Sequence, residues 1–115
     1  MFRLDAELKV FVHREAIDFR KSINGLSVLV EQSMKLDPFA RAVYAFTNRR
    51  RDRVKLLLYE RTGFWILMKR LEADRFAWPR NGDVVELSVE QLHWLLEGID
   101  LAAMRKHPER RYARA

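Results

Sequence analysis

A dense group of arginines lies near the middle of the chain, within the segment 49–53. The guanidinium group carries its N–H donors in a planar fork that matches the oxygens of a phosphate. Asn48 and Asp52 accompany the arginines, and both residue types favour turns. The segment therefore indicates a cationic turn that contacts phosphates. We predict a nucleic-acid-binding set of Arg49, Arg50, Arg51, Arg53, Lys55, Lys69 and Arg70.

A solvated hairpin tip is the simplest alternative interpretation of this cluster. The cluster is made of arginine rather than lysine, it is dense, and the segment 105–115 is also rich in arginine and lysine. These three features favour binding of a polyanion, either DNA or the acidic surface of a partner protein. Tyr44, Tyr59 and Trp65 could stack on bases if they were exposed. Because such aromatic residues usually pack in a core, they are not assigned to the site.

The residues required for enzymatic chemistry are not grouped in this sequence. The chain has no cysteine, which excludes disulfides and thiolate sites. Its three histidines lie far apart, and no serine or glycine motif of a nucleophile or phosphate loop is present. A small metal-dependent nuclease would need several converging carboxylates. The aspartates are instead explained by caps and turns, so we predict no catalytic centre, no metal and no cofactor.

Composition and charge indicate one soluble domain. The chain has 115 residues, of which 49% are hydrophobic and 33% charged, and its net charge is +6. Residues 41–55 hold six cations and one anion, and residues 105–115 hold five cations and one anion. We predict a single domain over residues 1–104 and a basic, flexible tail over residues 105–115. The charged amino terminus and the lack of an apolar run of about 20 residues indicate a cytoplasmic protein without a membrane segment.

Three apolar runs, 42–46, 54–59 and 64–68, have the length and composition of strands. The arginine segment separates the first two runs. Glu60 and the link of Arg61, Thr62 and Gly63 lie between the second and third runs, and Gly63 is expected to supply the left-handed residue of a three-residue turn. The pattern predicts two hairpins in series, which form an antiparallel meander with a cationic first tip.

Further elements flank the meander. Residues 10–13 and 84–87 are predicted strands, and a helix capped by Asp18 is expected to end near residues 36–38 because Pro38 follows. Ser88 and Gln91 form a capping-box pattern for a second helix that ends at Gly98. We predict an α+β fold with an antiparallel sheet of four to five strands and two principal helices. Since both sheet faces are apolar and two helices are expected to cover only one, a second subunit or another protein is expected to close part of the other face.

Several blocks along the chain resemble those of one family of small proteins. The blocks are DFRKSINGL at 18–26, FTNRRRDRVK at 46–55, GFW at 63–65, KRLE at 69–72, RFAWP at 75–79 and LHWLLEGID at 92–100. In this order they resemble the TnpB-type accessory protein, the product of the second reading frame of insertion sequences of family sixty-six. Their order extends the resemblance over residues 10–100, and residues 14–17 depart from the small, turn-like stretch usual there.

The resemblance implies an accessory role in transposition, beside a separate and longer transposase that carries the catalytic acids. It implies no nuclease activity, and no catalytic residue is transferred from the family to this chain. We therefore predict a non-catalytic accessory protein whose partners are DNA and the transposase of the same element, and which could form a homo-oligomer. The alternative is an adaptor that binds only protein.

Overall fold

A computed structural model describes residues 4–80 and 84–102, and the predicted basic tail at 105–115 lies outside these ranges. The five strands form one sheet in the order β4-β3-β2-β1-β5. In chain order the elements are β1 (Lys9–His13), α1 (Ile23–Gln32), β2 (Ala42–Thr47), β3 (Arg53–Glu60), β4 (Gly63–Arg70), β5 (Val84–Leu87) and α2 (Val89–Leu96). The predicted α+β class, the five strands and the two helices are confirmed.

The predicted meander forms β2, β3 and β4, and both of its strand pairs are antiparallel. β1 pairs with β2 in parallel, with Val10 beside Val43 and Val12 beside Ala45. The sheet is therefore mixed rather than fully antiparallel, because α1 lies between β1 and β2 in the chain and allows a crossover connection. As a result, the carboxyl ends of β1 and β2 lie at the same end of the sheet.

Each helix covers its own face of the sheet. Leu26 and Val30 of α1 are fully buried against a cluster that includes Tyr44, Phe46 and Leu57. The opposite cluster contains side chains from α2, from alternate positions of the strands and from the segment after β4. The expectation that two helices cover only one face was wrong, because the helices pack on opposite sides. The apolar side chains that remain exposed are concentrated on the outermost strand, β4.

The first helix begins later than predicted. Ser22 is its N-cap, and the Asp18 carboxylate instead accepts hydrogen bonds from the backbone N–H and the guanidinium of Arg20. Asp18 therefore closes a local turn, with Lys21 N–H donating to the Asp18 carbonyl. The helix also ends before residue 36, at Gln32, and Lys35 has a left-handed φ of 60°.

The second helix follows the sequence prediction. Gln91 N–H donates to Ser88 Oγ at 3.1 Å, and Ser88 N–H donates to Gln91 Oε1 at 2.9 Å. Gly98 follows the helix with a φ of 88°, which is a conformation that glycine adopts without steric cost. The predicted capping box and the glycine stop are both confirmed.

The turn between β3 and β4 differs from the prediction. Glu60 pairs with Gly63, so strand pairing extends one residue further than the apolar run and leaves a turn of only Arg61 and Thr62. The left-handed residue is Arg61, with φ 53°, and Gly63 belongs to β4. The assignment of the left-handed position to Gly63 was therefore wrong.

The segment from residue 71 to residue 80 leads from the β4 end of the sheet towards β5. Phe76 and Trp78 are buried in the cluster on the α2 face. The Trp78 indole N–H donates to the His13 carbonyl at 2.9 Å, which holds the segment against the end of β1. Leu71 N–H also donates to the Asp52 carbonyl, and Phe76 N–H donates to the Arg51 carbonyl. The segment therefore supports the turn that carries the arginines.

Candidate nucleic-acid interface

The arginine loop, defined as residues 48–52, joins β2 to β3 and is fixed by Asn48. The Asn48 side-chain oxygen accepts hydrogen bonds from the backbone N–H groups of Asp52 at 3.2 Å and Arg53 at 3.1 Å. Its amide group donates to Asp52 Oδ1 at 2.7 Å. One neutral side chain therefore satisfies two backbone N–H groups and the Asp52 carboxylate inside the loop. Arg49 and Arg50 are exposed to solvent.

Backbone geometry at Arg51 also shapes the loop. Arg51 has a left-handed φ of 59°, which is uncommon for a residue with a side chain. Its N–H donates to the Asn48 carbonyl at 3.0 Å, and its carbonyl accepts from Phe76 N–H at 2.7 Å. Contacts on both sides of the peptide therefore hold the conformation in place, so the loop presents its arginines from a defined backbone.

Asp52 is the acidic residue of the loop, and its interactions are local. The hydrogen bond from the Asn48 amide lowers the pKa of Asp52, and the nearby Arg53 and Arg50 charges lower it further. The carboxylate is consequently ionised at neutral pH. The side-chain hydrogen-bond partner of the Asp52 carboxylate is Asn48. Asp52 forms no ion pair with Arg49 or Arg51 of the arginine loop.

A shallow groove of about 560 Å³ lies beside the arginine loop. Three separate segments contribute its four arginines: the residue after β1, the arginine loop, and the end of the segment that follows β4. The residues that line the groove are Arg14, Glu15, Ala16, Thr47, Arg49, Arg51, Trp78 and Arg80. We call this the arginine groove. Among its described lining residues, Glu15 is the single carboxylate.

The parallel pairing of β1 and β2 explains why these segments meet. Arg14 directly follows β1 and Arg49 follows β2, so both lie at the end of the sheet where these two strands terminate. Ile17 N–H donates to the Thr47 carbonyl at 2.9 Å and holds the residues after β1 beside β2. Trp78, fixed to His13 by its indole N–H, brings Arg80 to the same place.

The groove arginines form no ion pair with any described residue. The four ion pairs within the described ranges join Arg20 to Asp18, Arg41 to Asp5, Lys69 to Glu97 and Arg70 to Glu72. Each of those cations is therefore neutralised locally, whereas the groove concentrates positive charge. A concentrated cationic groove attracts a polyanion more strongly than dispersed charges do.

Five of the seven residues predicted from sequence lie outside the groove lining, and one of them, Arg50, is exposed on the arginine loop. Lys55 extends across the α1 face and donates to the carbonyls of Phe19 and Lys21. Lys69 donates to the Leu96 carbonyl at the end of α2. The remaining two are Arg53, which has a buried Nε without a hydrogen-bond partner in the described residues, and Arg70, which pairs with Glu72.

Lys55, Lys69 and Arg70 therefore each contact a group within the chain, and their contact with nucleic acid stays a prediction. Arg14 and Arg80 were not predicted from the sequence, because neither lies in a basic run. Arg14 could have been predicted if β1 had been paired in parallel with β2, because that pairing places the residue after β1 beside the arginine loop. No comparable signal marked Arg80, whose position depends on the path of the segment before it.

The described residues contain no group of three or more histidines, aspartates and glutamates close enough to hold a metal ion. His13 is buried, and its ring nitrogens contact the Glu15 carbonyl at 2.8 Å and Ser33 Oγ at 3.1 Å. Its ring therefore links the end of β1 to Ser33, the C-cap of α1, which is a structural role. Within the described ranges, no helix is long and apolar enough to cross a membrane.

Comparisons with known proteins agree with the resemblance seen in the sequence. Two proteins from Sinorhizobium fredii, named uncharacterized protein y4jC and uncharacterized protein y4hO, are each 29% identical to this chain. The first match covers 90% of both chains, and the second covers 89% of this chain and 86% of the relative. No solved structure matches significantly. The family described as IS66 Orf2 like protein matches residues 8–106, which is most of the sequence, and the chain belongs to that family.

Proposed function

We propose that this protein is a non-catalytic accessory factor in transposition that binds the DNA backbone through its arginine groove. Membership of the IS66 Orf2-like family supports the accessory role in transposition. The observation that carries the DNA contact is the convergence of Arg14, Arg49, Arg51 and Arg80 without an ion pair among the described residues. Phosphate oxygens of the backbone are the ligands, and Arg50 extends the contact on the outer side of the loop.

The geometry favours positioning on DNA rather than reading of bases. The arginine loop is a short turn, and within residues 4–80 and 84–102 no helix adjoins it that could enter the major groove. Contacts to phosphates fix the location of a protein on DNA without selecting a sequence. The proposed role is therefore to hold DNA for the separate transposase, which performs the chemistry.

The experiment is a salt titration of binding to duplex DNA from an element end and to random duplex DNA. Each phosphate contact that is lost flattens the slope of log affinity against log salt concentration by roughly 0.9. The double variant Arg49→Gln/Arg51→Gln should therefore flatten the slope by about 1.8. Glutamine keeps most of the side-chain length and removes the charge, so the test isolates electrostatics.

The matched control is Arg20→Gln/Arg41→Gln, which removes two charges of the same type from exposed residues that do not line the groove. The control should leave the slope close to that of the wild type. Equal slopes for both double variants would refute the groove as the contact. Absence of DNA binding by the wild type, together with nuclease-resistant capture of the transposase, would instead establish an adaptor that binds only protein.

A further inference from the structure

The outer edge of the sheet is formed by β4, and no described strand pairs with its outward side. Side chains on both faces of this strand are exposed: Trp65 by 44%, Leu67 by 37% and Met68 by 59%. Trp65 and Leu67 lie on the face covered by α2, since they pair with Leu58 and Leu56 of that core. Met68 lies on the other face. Neither helix therefore reaches far enough to cover the edge strand.

Soluble proteins usually protect such an edge with charges, prolines or bulges. The first six residues of β4, GFWILM, contain neither a charge nor a proline. The cations that follow are Lys69 and Arg70, and both already have carboxylate partners within the chain, Glu97 and Glu72. The apolar part of the edge is therefore left open to pairing with another strand.

The backbone of β4 presents regularly spaced donors and acceptors at this edge. Leu71 N–H points inward and donates to the Asp52 carbonyl. Because inward and outward peptide groups alternate along an antiparallel strand, the N–H and carbonyl groups of residues 64, 66, 68 and 70 point outward. A second strand placed alongside could therefore form hydrogen bonds with four residues of β4.

We propose that a second copy of this chain occupies the edge, with the two β4 strands paired antiparallel about a two-fold axis at Ile66. The run Phe64–Met68 is centred on Ile66, so this register opposes the run with itself. Phe64 lies opposite the partner's Met68, and Trp65 lies opposite the partner's Leu67. Residues 64, 66 and 68 of each copy, which face outward, then lie in hydrogen-bonded pairs, and the two five-stranded sheets join into one.

Charge also favours this register. The two-fold at Ile66 places Lys69 opposite Gly63, and it places Arg70 opposite Thr62 of the other copy. A Cβ built on Gly63 would meet no atom within 4 Å, so there is space above it for the stem of the partner's Lys69. A two-fold axis displaced by one residue, to Leu67, would instead oppose Arg70 to Phe64 and break the apolar match. Identical edges that satisfy one another form a closed, isologous dimer.

The first test is sedimentation equilibrium of the full chain at micromolar concentration. The wild type should have twice the monomer mass of 13.8 kDa, and Met68→Lys should reduce it to the monomer mass. Met68 is mostly exposed, so circular dichroism should show an unchanged fold. Val28→Lys is the matched control, because Val28 is 46% exposed and belongs to α1 rather than to β4. This control should stay dimeric.

The second test locates the axis. The chain has no cysteine, so Ile66→Cys introduces a single thiol. Directly opposed residues of a hydrogen-bonded pair have Cα atoms about 5.5 Å apart, which is within the range of a disulfide. Mild oxidation should convert most of this variant to a covalent dimer, while Val28→Cys should stay monomeric on a denaturing gel. A monomeric wild type, or equal cross-linking of both variants, would overturn the proposal.

Discussion

Replacing Asn48 by alanine tests whether one neutral side chain holds the arginine loop. Its oxygen accepts hydrogen bonds from the backbone N–H groups of Asp52 and Arg53, and alanine leaves both groups without that partner. The net contribution of one such bond is about 0.5–1.5 kcal/mol, so the two together contribute about 1–3 kcal/mol. Because the site is only half-buried and water can replace part of the loss, we expect Asn48→Ala to lower the free energy of unfolding by about 2 kcal/mol.

The same variant has a second readout that is specific to the loop. The amide of Asn48 is the largest cause of the lowered pKa of Asp52. Its removal should raise the pKa of Asp52 towards the ordinary value for an aspartate, although Arg53 and Arg50 still act in the opposite direction. A stability loss without this pKa change would indicate damage elsewhere in the protein.

Urea unfolding followed by tryptophan fluorescence measures the first effect, and a carboxylate titration followed by NMR measures the second. Asn24→Ala is the control, since Asn24 is exposed on α1 and does not belong to the arginine loop. A surface change of this kind should alter the free energy of unfolding by less than about 0.5 kcal/mol. If Asn48→Ala matched this control in stability and kept the wild-type pKa at Asp52, the account of the loop would be refuted.

Two further predictions concern local interactions in the folded chain. Ser88→Ala removes the hydrogen bond that caps α2, and urea unfolding should show a free energy of unfolding lower by about 1 kcal/mol. Ser22→Ala is the control: it should lower the free energy of unfolding by less, because the Ser22 side chain makes no capping hydrogen bond. The side chain of Arg20, followed by its backbone N–H, lowers the pKa of Asp18 from 3.8 to about 2. The stabilising interaction is therefore present above pH 3.8 and lost as the pH falls towards 2, and Arg20→Gln should move the NMR-measured pKa of Asp18 upward.

Local patterns predicted most elements of the fold. The apolar runs specified β2, β3 and β4, and the pairing of Ser88 with Gln91 specified the start of α2. What these patterns could not specify was the relation between distant strands. Nothing in residues 10–13 distinguishes a strand that pairs in parallel with β2 from one that pairs antiparallel, because pairing direction depends on the path of the intervening helix.

The same limitation explains which part of the arginine groove was missed. The arginine loop is a local feature, so its composition was sufficient to indicate a cationic turn. Arg14 and Arg80 are isolated in sequence, and they join the loop only through long-range contacts such as the bond from Trp78 to His13. Conversely, Lys55 lies close to the loop in sequence, but the alternation of side chains along β3 directs it to the α1 face and the carbonyl groups there.

The arginine groove and the open edge of β4 are compatible because they lie on different parts of the sheet. The groove lies where β1 and β2 end, and none of its lining residues belongs to β4. Pairing through β4 would therefore leave the groove accessible in each copy. A two-fold axis at Ile66 reverses one copy relative to the other, so the two grooves would lie at opposite ends of the joined sheet. A dimer with two such grooves would bind a long DNA more tightly than a single groove does, provided that the DNA reaches both. Binding at the first groove would raise the effective concentration of DNA at the second.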